Sequence, residues 1–235
     1  YVLHFITEAE RAGFSIPLDL KNKLVKFQSK VAANWRESSD PFYATTRQRS
    51  LDQAYRLYGL ALAGKAEIGA MNRLRGKAAD LSVPAIYNLA AAYAIVGQKS
   101  AADELISGQG VVVKAYRELG YTFGSDIRDM AMILESQLAA GDQSAAGKQA
   151  FRLAERIGKR SWLSTQEAAF AFVAIGKMSE ADDQELKADF TSATGAKSAV
   201  GANSGVYHIE MPADADGSTL TVKNTGSATL YATVI

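Results

Sequence analysis

Hydrophobic residues recur at intervals of three and four up to about residue 183, a spacing that predicts helices. A first helix is expected over residues 2–12, ending at Gly13, and a second from Pro17 to Trp35. The second helix places an apolar stripe opposite four lysines, which we interpret as a solvated face. These lysines are Lys21, Lys23, Lys26 and Lys30.

Four further helices are each predicted to close at a glycine, over residues 50–63, 85–96, 126–140 and 165–175. After Gly64, Gly97 and Gly141, one polar residue is followed by a second, more amphipathic segment. Each unit is therefore a predicted helical hairpin, with an alanine-rich inner helix and an outer partner. Because the glycine spacing is irregular, we expect an α/α toroid with insertions rather than a strict tetratricopeptide array.

After Asp183 the chain is rich in Thr, Gly, Ser and Asn, and its apolar residues alternate. Strands are predicted over residues 186–190, 206–209, 219–223 and 228–234, with turns at Gly195, at 216–217 and at 224–226. The predicted fold is mainly α: a toroid of helical hairpins over residues 1–183, then part of an antiparallel, CUB-like β-sandwich over 184–235.

Charge and composition narrow the function. The 26 basic and 25 acidic residues give a net charge of +1, which argues against a nucleic-acid or anionic-membrane partner. The longest uncharged apolar run, over residues 87–96, is too short for direct membrane insertion. The lack of cysteine excludes disulfides, thiolate metal ligands and Cys nucleophiles in this chain, and two histidines argue against a multi-His centre.

Asp126 and Asp129 form the most enzyme-like pair, since carboxylates at this spacing share a helix face. Glycan-processing toroid enzymes use two such groups, and Glu135 or Glu167 could join them. The favoured interpretation is structural, because Ser125 as N-cap and acidic residues in the first turn are typical of a helix start.

The remaining candidates are also interpreted as structural. His4 lies on an apolar helix, and His208 is expected to face solvent from a strand. Ser164 and Glu167 form a predicted capping box. Five aromatic residues are expected to pack between helices: Tyr55, Tyr58, Tyr87, Tyr93 and Trp162. We therefore predict no catalytic, cofactor-binding or metal-binding residue in this chain and no cofactor.

An ordered set of segments resembles the C-terminal part of bacterial α2-macroglobulins, particularly the long Bacteroidetes type. It consists of YVLHFITEAERAGF (1–14) with Pro17, QAYRLYGLALAG (53–64), MNRLR (71–75), LAAAYAIVG (89–97), YTFGSDIRD (121–129) and WLSTQE (162–167). The resemblance implies that the toroid is the family's thioester domain, inserted into a CUB-like β domain. In that family, proteinase cleavage of a bait region exposes a Cys-Gln thioester that acylates a lysine of the attacker.

The family's Cys-x-x-Gln motif would precede the point matching Tyr1, so no reactive residue is carried over to this chain. The leading hypothesis is a catalytically silent fragment of a broad-range proteinase inhibitor, lacking its N-terminal helices. The resemblance implies proteinases as partners, with cell-wall synthases as a further class. It also implies a periplasmic or cell-envelope parent that is lipid-anchored through the missing N-terminus.

Two alternatives stay open: a helical-repeat scaffold for protein interactions, and a glycan-processing enzyme using Asp126 and Asp129. An exposed apolar end would favour the fragment, because missing helices would leave apolar surface uncovered. A closed funnel lined with several carboxylates and aromatic residues would favour the enzyme.

Overall fold

A computed structural model describes residues 1–36, 46–120, 122–180, 186–191, 197–202, 219–226 and 230. The chain divides into two compact units, Tyr1–Ala174 and Ile175–Ile235. The α-helices of the described residues are α1 (Val2–Arg11), α2 (Leu18–Asn34), α3 (Thr46–Leu62), α4 (Ile68–Arg75), α5 (Val83–Ile95), α6 (Lys99–Ile106), α7 (Asp126–Ala139), α8 (Gln143–Gly158) and α9 (Thr165–Glu180). None of these helices has the length and hydrophobicity needed to cross a bilayer.

Glycines end α1, α3, α5 and α7, as the sequence predicts. Gly13, Gly64, Gly97 and Gly141 have φ values of 87°, 72°, 78° and 79°. At Gly64, the glycine N–H donates to the carbonyl of Ala61 and the next N–H, of Lys65, donates to that of Leu60. This is the Schellman arrangement, which satisfies carbonyls that the helix end would otherwise leave unpaired.

The predicted helix end at Gly176 is wrong, because α9 continues to Glu180. Gly176 does not adopt a positive φ. The residues after it include Lys177 and Met178, which favour helix. Glycine in a helix interior costs about 1 kcal/mol relative to alanine, which weakens a helix without stopping it.

The hairpin prediction is confirmed within the described residues. Helix α5 packs between α3 and α7, and α6 and α8 pack against the preceding helices α5 and α7. Helix α5 is buried from Pro84 to Tyr93, and α7 from Asp126 to Gln137. The outer helices bury only one stripe each, such as Ala102 and Leu105 on α6. This is a two-layer array with α3, α5 and α7 inside; closure of the array into a toroid stays a prediction.

Helix α2 is covered less than its apolar stripe suggests. Leu24 packs against the core, but Leu20 and Phe27 are 44% and 60% exposed. Several other apolar residues on or beside α1 and α2 are also exposed. We call the whole set the N-terminal apolar residues: Tyr1, Val2, Phe5, Phe14, Leu18, Leu20 and Phe27.

The second unit contains an antiparallel sheet made of β1 (Leu186–Thr191), β2 (Lys197–Ala202) and β3 (Thr221–Asn224), in the order β2-β1-β3. Strands β1 and β3 lie where alternation predicts them. Strand β2 was not predicted, since its sequence KSAVGA consists mainly of small residues. In the predicted turn after β3, the Gly226 amide donates to Asn224 Oδ1 at 3.0 Å.

The predicted strand at 206–209 with His208, and the turns at Gly195 and at 216–217, lie outside the described residues. So does the predicted strand at 228–234, apart from Leu230. The β-sandwich and the domain boundary at residue 183 therefore stay predictions.

A pair of glycine substitutions tests the two helix ends. Gly141→Ala should lower the free energy of unfolding by about 1–2 kcal/mol, because alanine is strained at a positive φ. Gly176→Ala should be neutral or stabilise by up to about 1 kcal/mol, because the position is helical and open. Urea unfolding followed by circular dichroism measures both; equal losses would place a helix end at Gly176.

Candidate functional site

Five side chains from α1, α3 and α7 meet in the first unit, and we call them the His4 cluster. His4 Nδ1 lies 2.8 Å from the hydroxyl of Tyr55, and His4 Nε2 lies 2.9 Å from Glu135 Oε1. The Tyr58 hydroxyl donates to the same Glu135 oxygen at 2.9 Å. Glu8 Oε1 lies 3.4 Å from His4 Nε2. His4, Tyr58 and Glu135 are buried, so their polar groups need the partners that they find in one another.

Helix periodicity explains why these residues converge. His4 and Glu8 are one turn apart on α1 and share a face, as do Tyr55 and Tyr58 on α3. Glu135 is placed by the inner helix α7, which is buried along most of its length. This arrangement was not predicted from the sequence, although two signals point to it: the His-x-x-x-Glu spacing, and a Glu within the apolar run MAMILE.

The two tyrosines stay protonated in this environment. Burial raises the pKa of Tyr58 well above its usual value, and the charge of Glu135 and its hydrogen bond raise it further. Burial and Glu135 have the same effect on the pKa of Tyr55. A phenol hydroxyl can donate or accept, so Tyr55 can serve either tautomer of His4.

A cavity of about 340 Å³ adjoins the cluster and falls within the size range of small-molecule sites. His4, Tyr1, Tyr55 and Phe170 contribute rings to its wall. Phe170 meets Tyr1 and Tyr55 edge-on, with ring centroids 5.4 and 5.7 Å apart. The polar and charged lining comprises Gln28, Asp52, Arg56, Thr122, Arg128 and Gln166.

Asp52 is the carboxylate among the lining residues. Burial raises its pKa, and the nearby cations Arg56 and Arg128 partly oppose that effect. Arg56 also donates from Nε to Gln28 Oε1 at 2.9 Å. The wall thus has the aromatic residues expected for a glycan-processing funnel, but neither Asp126 nor Asp129 contributes to it.

Asp126 is fully buried and bound to two arginines. Its Oδ2 accepts from Arg156 Nη1 at 2.7 Å, and its Oδ1 accepts from Arg160 Nη2 at 2.9 Å. Ser125 is the N-cap of α7, as predicted, and its hydroxyl accepts the Arg128 amide at 3.2 Å. These contacts join the start of α7 to α8 and to Arg160 just beyond it.

Asp129 has a separate set of partners. Arg128 donates to Asp129 Oδ1 from Nε and Nη2 at 3.0 and 2.8 Å, and the Tyr116 hydroxyl donates to Oδ2 at 2.7 Å. Burial nevertheless raises the pKa of Asp129, an effect that Arg128 and Tyr116 oppose. Because Asp126 and Asp129 are each bound by arginine and face different partners, the geometry favours the structural interpretation of the pair.

The loop before α7 packs closely against Arg128 and Tyr116, the partners of Asp129. Glu118 Oε2 accepts from the Thr122 hydroxyl at 2.6 Å and from the Gly124 amide at 3.0 Å. A Cβ at Gly124 would lie 2.8 Å from Arg128 Nη2 and 2.9 Å from the Tyr116 hydroxyl. A Cβ at this position would therefore have to displace the ends of these side chains from their hydrogen bonds.

The capping box at the start of α9 is confirmed. The Ser164 amide donates to Glu167 Oε2 at 2.6 Å, and the Glu167 amide donates to Ser164 Oγ at 3.2 Å. Glu167 Oε2 also accepts from Arg117 at 2.9 Å. Burial alone would raise the pKa of Glu167, but the Ser164 amide, the Ser125 and Ser164 hydroxyls and Arg117 outweigh it, so the pKa is lowered.

The aromatic predictions are mostly confirmed. Tyr58, Tyr87 and Tyr93 are buried, and Tyr55 is half-buried. The prediction for Trp162 is wrong, because its side chain is 64% exposed. The Arg117 guanidinium lies 4.5 Å from the centre of the Trp162 ring, so this residue stacks with a cation at the surface.

Comparisons with known proteins identify solved structures with a similar fold. No protein-family model matches the chain, and no curated protein matches it significantly. The Escherichia coli α2-macroglobulin activated by porcine elastase matches with a TM-score of 0.66 and 21% identity, over 95% of this chain and 19% of that one. The native E. coli protein spanning domain MG7 to the C-terminus matches with a TM-score of 0.64 and 20% identity, over 95% of this chain and 33% of that one.

A Salmonella α2-macroglobulin reacted with methylamine matches with a TM-score of 0.63 and 20% identity, over 96% of this chain and 14% of that one. At these identities the similarity shows a shared fold. The chain spans about a fifth of the elastase-activated protein.

Asp126→Asn tests the arginine-bound carboxylate. It should lower the free energy of unfolding by about 2–4 kcal/mol, because asparagine lacks the charge and leaves two buried contacts weakened. Asp142→Asn is the matched control; Asp142 is an exposed N-cap of α8, where asparagine caps equally well. Urea unfolding compares them, and equal small losses would show that Asp126 is not a structural anchor.

Glu167→Gln tests the lowered pKa of Glu167. A lowered pKa in the folded state stabilises the fold above the unfolded pKa of about 4.3, and this stabilisation is lost as the pH falls through the folded value. The variant should therefore be less stable than the unmodified chain by about 1 kcal/mol at pH 7. This difference in unfolding free energy should become smaller towards pH 3. The exposed Glu155→Gln is the control for unfolding curves measured across this pH range. A stability difference for Glu167→Gln that does not change with pH would contradict the lowered pKa of Glu167.

Proposed function

We propose that this chain is part of a bacterial α2-macroglobulin-like proteinase inhibitor, of the Bacteroidetes type. Residues 1–183 would be its thioester-type α/α toroid and residues 184–235 strands of the adjoining CUB-like sandwich. The observation that carries the proposal is the shared fold, which covers 95% of this chain in a structure of an elastase-activated α2-macroglobulin.

The N-terminal apolar residues support the idea that the chain is a fragment. Phe5 is 68% exposed on α1, and Phe27 is exposed on α2. Apolar side chains clustered along two neighbouring helices are unusual on a surface that stays in water. In the proposed parent, the helices that precede residue 1 cover them.

The role of this chain in the parent would be structural. It has no cysteine, so a thioester would have to come from a Cys-x-x-Gln motif before Tyr1. The reaction of the Salmonella relative with methylamine is what a thioester-bearing protein undergoes. The helices described here would form part of the wall that keeps water from the bond, with Tyr1, His4 and Phe5 nearest the motif in sequence.

Partners and location follow from the same proposal. The parent would bind attacking proteinases; two of the similar structures are of α2-macroglobulins activated by elastase and by trypsin. Cell-wall synthases are a further proposed partner class. The parent would lie in the periplasm or cell envelope, attached by a lipid at its own N-terminus.

A protein-interaction scaffold is the second candidate. The observation that favours it is the two-layer array of hairpins, an architecture that repeat proteins also use to bind partners. The glycan-processing alternative has less support, since Asp126 and Asp129 are held in ion pairs and neither lines the cavity.

Methylamine incorporation into the full-length parent tests the leading proposal. The gene upstream of Tyr1 should encode Cys-x-x-Gln within about one helical hairpin, and the protein should take up one equivalent of labelled methylamine. A parent with its motif cysteine replaced by alanine is the control and should take up none. After exposure to elastase, the unmodified parent should carry covalently bound proteinase on denaturing gels.

The outcomes separate the candidates. If the motif is absent but the upstream macroglobulin-like domains are present, the parent is a non-covalent trap. If those domains are absent too, the inhibitor proposal fails and the scaffold replaces it. A glycan-cleaving rate that Asp126→Asn and Asp129→Asn both abolish would instead restore the enzyme alternative.

A further inference from the structure

Three potential metal ligands converge in the His4 cluster. His4 Nε2 lies 2.9 Å from Glu135 Oε1 and 3.4 Å from Glu8 Oε1, and ligand atoms of the three residues all lie within 4.8 Å of one another. A tetrahedral zinc ion with bonds of about 2.0–2.1 Å holds its ligands roughly 3.3 Å apart. The two distances from His4 lie on either side of this value, so small side-chain shifts would admit an ion.

We propose that His4, Glu8 and Glu135 bind one divalent transition-metal ion, with Zn²⁺ as the best fit. One imidazole and two carboxylates form a ligand set that zinc accepts, and three protein ligands leave the fourth position for water. This proposal departs from the sequence-based expectation of no metal site. It does not depend on the proposed function, because it rests only on residues of this chain.

Residues around the three ligands orient them as metal sites require. A metal-bound histidine almost always uses its second ring nitrogen for a hydrogen bond, which fixes the tautomer and the ring orientation. Here His4 Nδ1 contacts the Tyr55 hydroxyl at 2.8 Å, which leaves Nε2 directed at the carboxylates. Tyr58 donates to Glu135 Oε1, so the carboxylate on α7 is also held in place.

The ligands come from two helices that are well placed to keep them rigid. His4 and Glu8 lie one turn apart on α1, and Glu135 comes from the buried helix α7. His4 lines the 340 Å³ cavity, which offers an entry path and space for water. Glu8 is partly exposed to solvent.

A shared proton is the competing explanation for the same contacts. Protonated His4 could donate to the carboxylates as an imidazolium. Glu8 Oε2 also lies 3.4 Å from Arg11 Nη1, so that carboxylate has a cation nearby without a metal. The two explanations differ in whether a metal ion binds with defined stoichiometry and coordination, which can be measured.

The test uses the full 235-residue chain, stripped with a chelator and titrated with Co²⁺ and Zn²⁺. Co²⁺ should bind with one equivalent and give the intense visible absorption of tetrahedral coordination, and Zn²⁺ should displace it. Glu8→Gln and Glu135→Gln should each weaken binding by more than about 10-fold, since loss of even an outer partner costs about 10–100-fold. Tyr55→Phe keeps all three ligands and should weaken binding by about 10-fold.

Two controls make the result specific. His208→Gln removes the other histidine of the chain and should leave affinity and spectrum unchanged. Glu167→Gln changes a carboxylate buried elsewhere and should also have no effect on binding. Circular dichroism checks the fold of each variant; if Glu135→Gln does not fold, Glu8→Gln still decides, because Glu8 is only half-buried.

Several results would overturn the site. If the tetrahedral Co²⁺ spectrum is absent, the metal site is excluded and the contacts in the His4 cluster are explained by a shared proton. Equal affinity in Glu8→Gln and the unmodified chain would exclude Glu8 as a ligand, and a loss of binding in His208→Gln would place the metal elsewhere.

Discussion

Helix α7 lies in the interior yet carries three buried carboxylates, Asp126, Asp129 and Glu135. A charge removed from water is costly unless it is paired and hydrogen-bonded, so each carboxylate needs partners. Arg128 on α7 itself binds Asp129, and the other partners come from outside the helix. Those partners come from different directions. Arg156 and Arg160 approach from the α8 side, the loop before α7 supplies Tyr116, and α1 and α3 supply His4 and Tyr58. The first unit is thus arranged around the requirement to neutralise one inner helix.

This requirement also explains why the pair at Asp126 and Asp129 resembles a catalytic site without having its geometry. A catalytic carboxylate needs access to substrate, whereas these two are enclosed by arginine and tyrosine side chains. The polar groups that adjoin a cavity lie instead around Glu135. There a histidine, a second carboxylate and two phenols adjoin a cavity with an aromatic wall. The fold shared with bacterial α2-macroglobulins is compatible with both features.

Local signals in the sequence were sufficient where local physics decides the structure. The Schellman glycine at Gly64 and the capping box of Ser164 and Glu167 each involve residues a few positions apart, and both were predicted. Contacts between distant residues were not predictable in this way. Tyr58 and Glu135 are 77 positions apart, and neither residue alone indicates the other.

The same limit applies to the exposure of single side chains and to helix ends. The exposure of Phe27 depends on what covers α2, and periodicity only shows that one face is apolar. Trp162 was predicted to pack between helices because the aromatic residues recur at helical spacings, but a neighbouring guanidinium gives it a partner at the surface. Gly176 was assigned to a helix end from its type, although only the φ angle distinguishes a cap from an interior glycine.

The burial pattern of the inner helices sets a limit on how the chain could have diversified. Helix α5 is also buried, but its buried stretch from Pro84 to Tyr93 contains no charged residue. The carboxylates of α7, by contrast, contact His4 on α1 and Arg156 on α8. In repeat proteins, units can be duplicated, lost or exchanged because each contacts its neighbours in the same way. Here a hairpin copied from α7 and α8 into another position would keep Arg128 and Arg156, but it would bring its carboxylates without Arg160, the phenols and the histidine. The hairpins therefore resemble one another in shape, but the charges on α7 assign it a fixed place in the order of the chain.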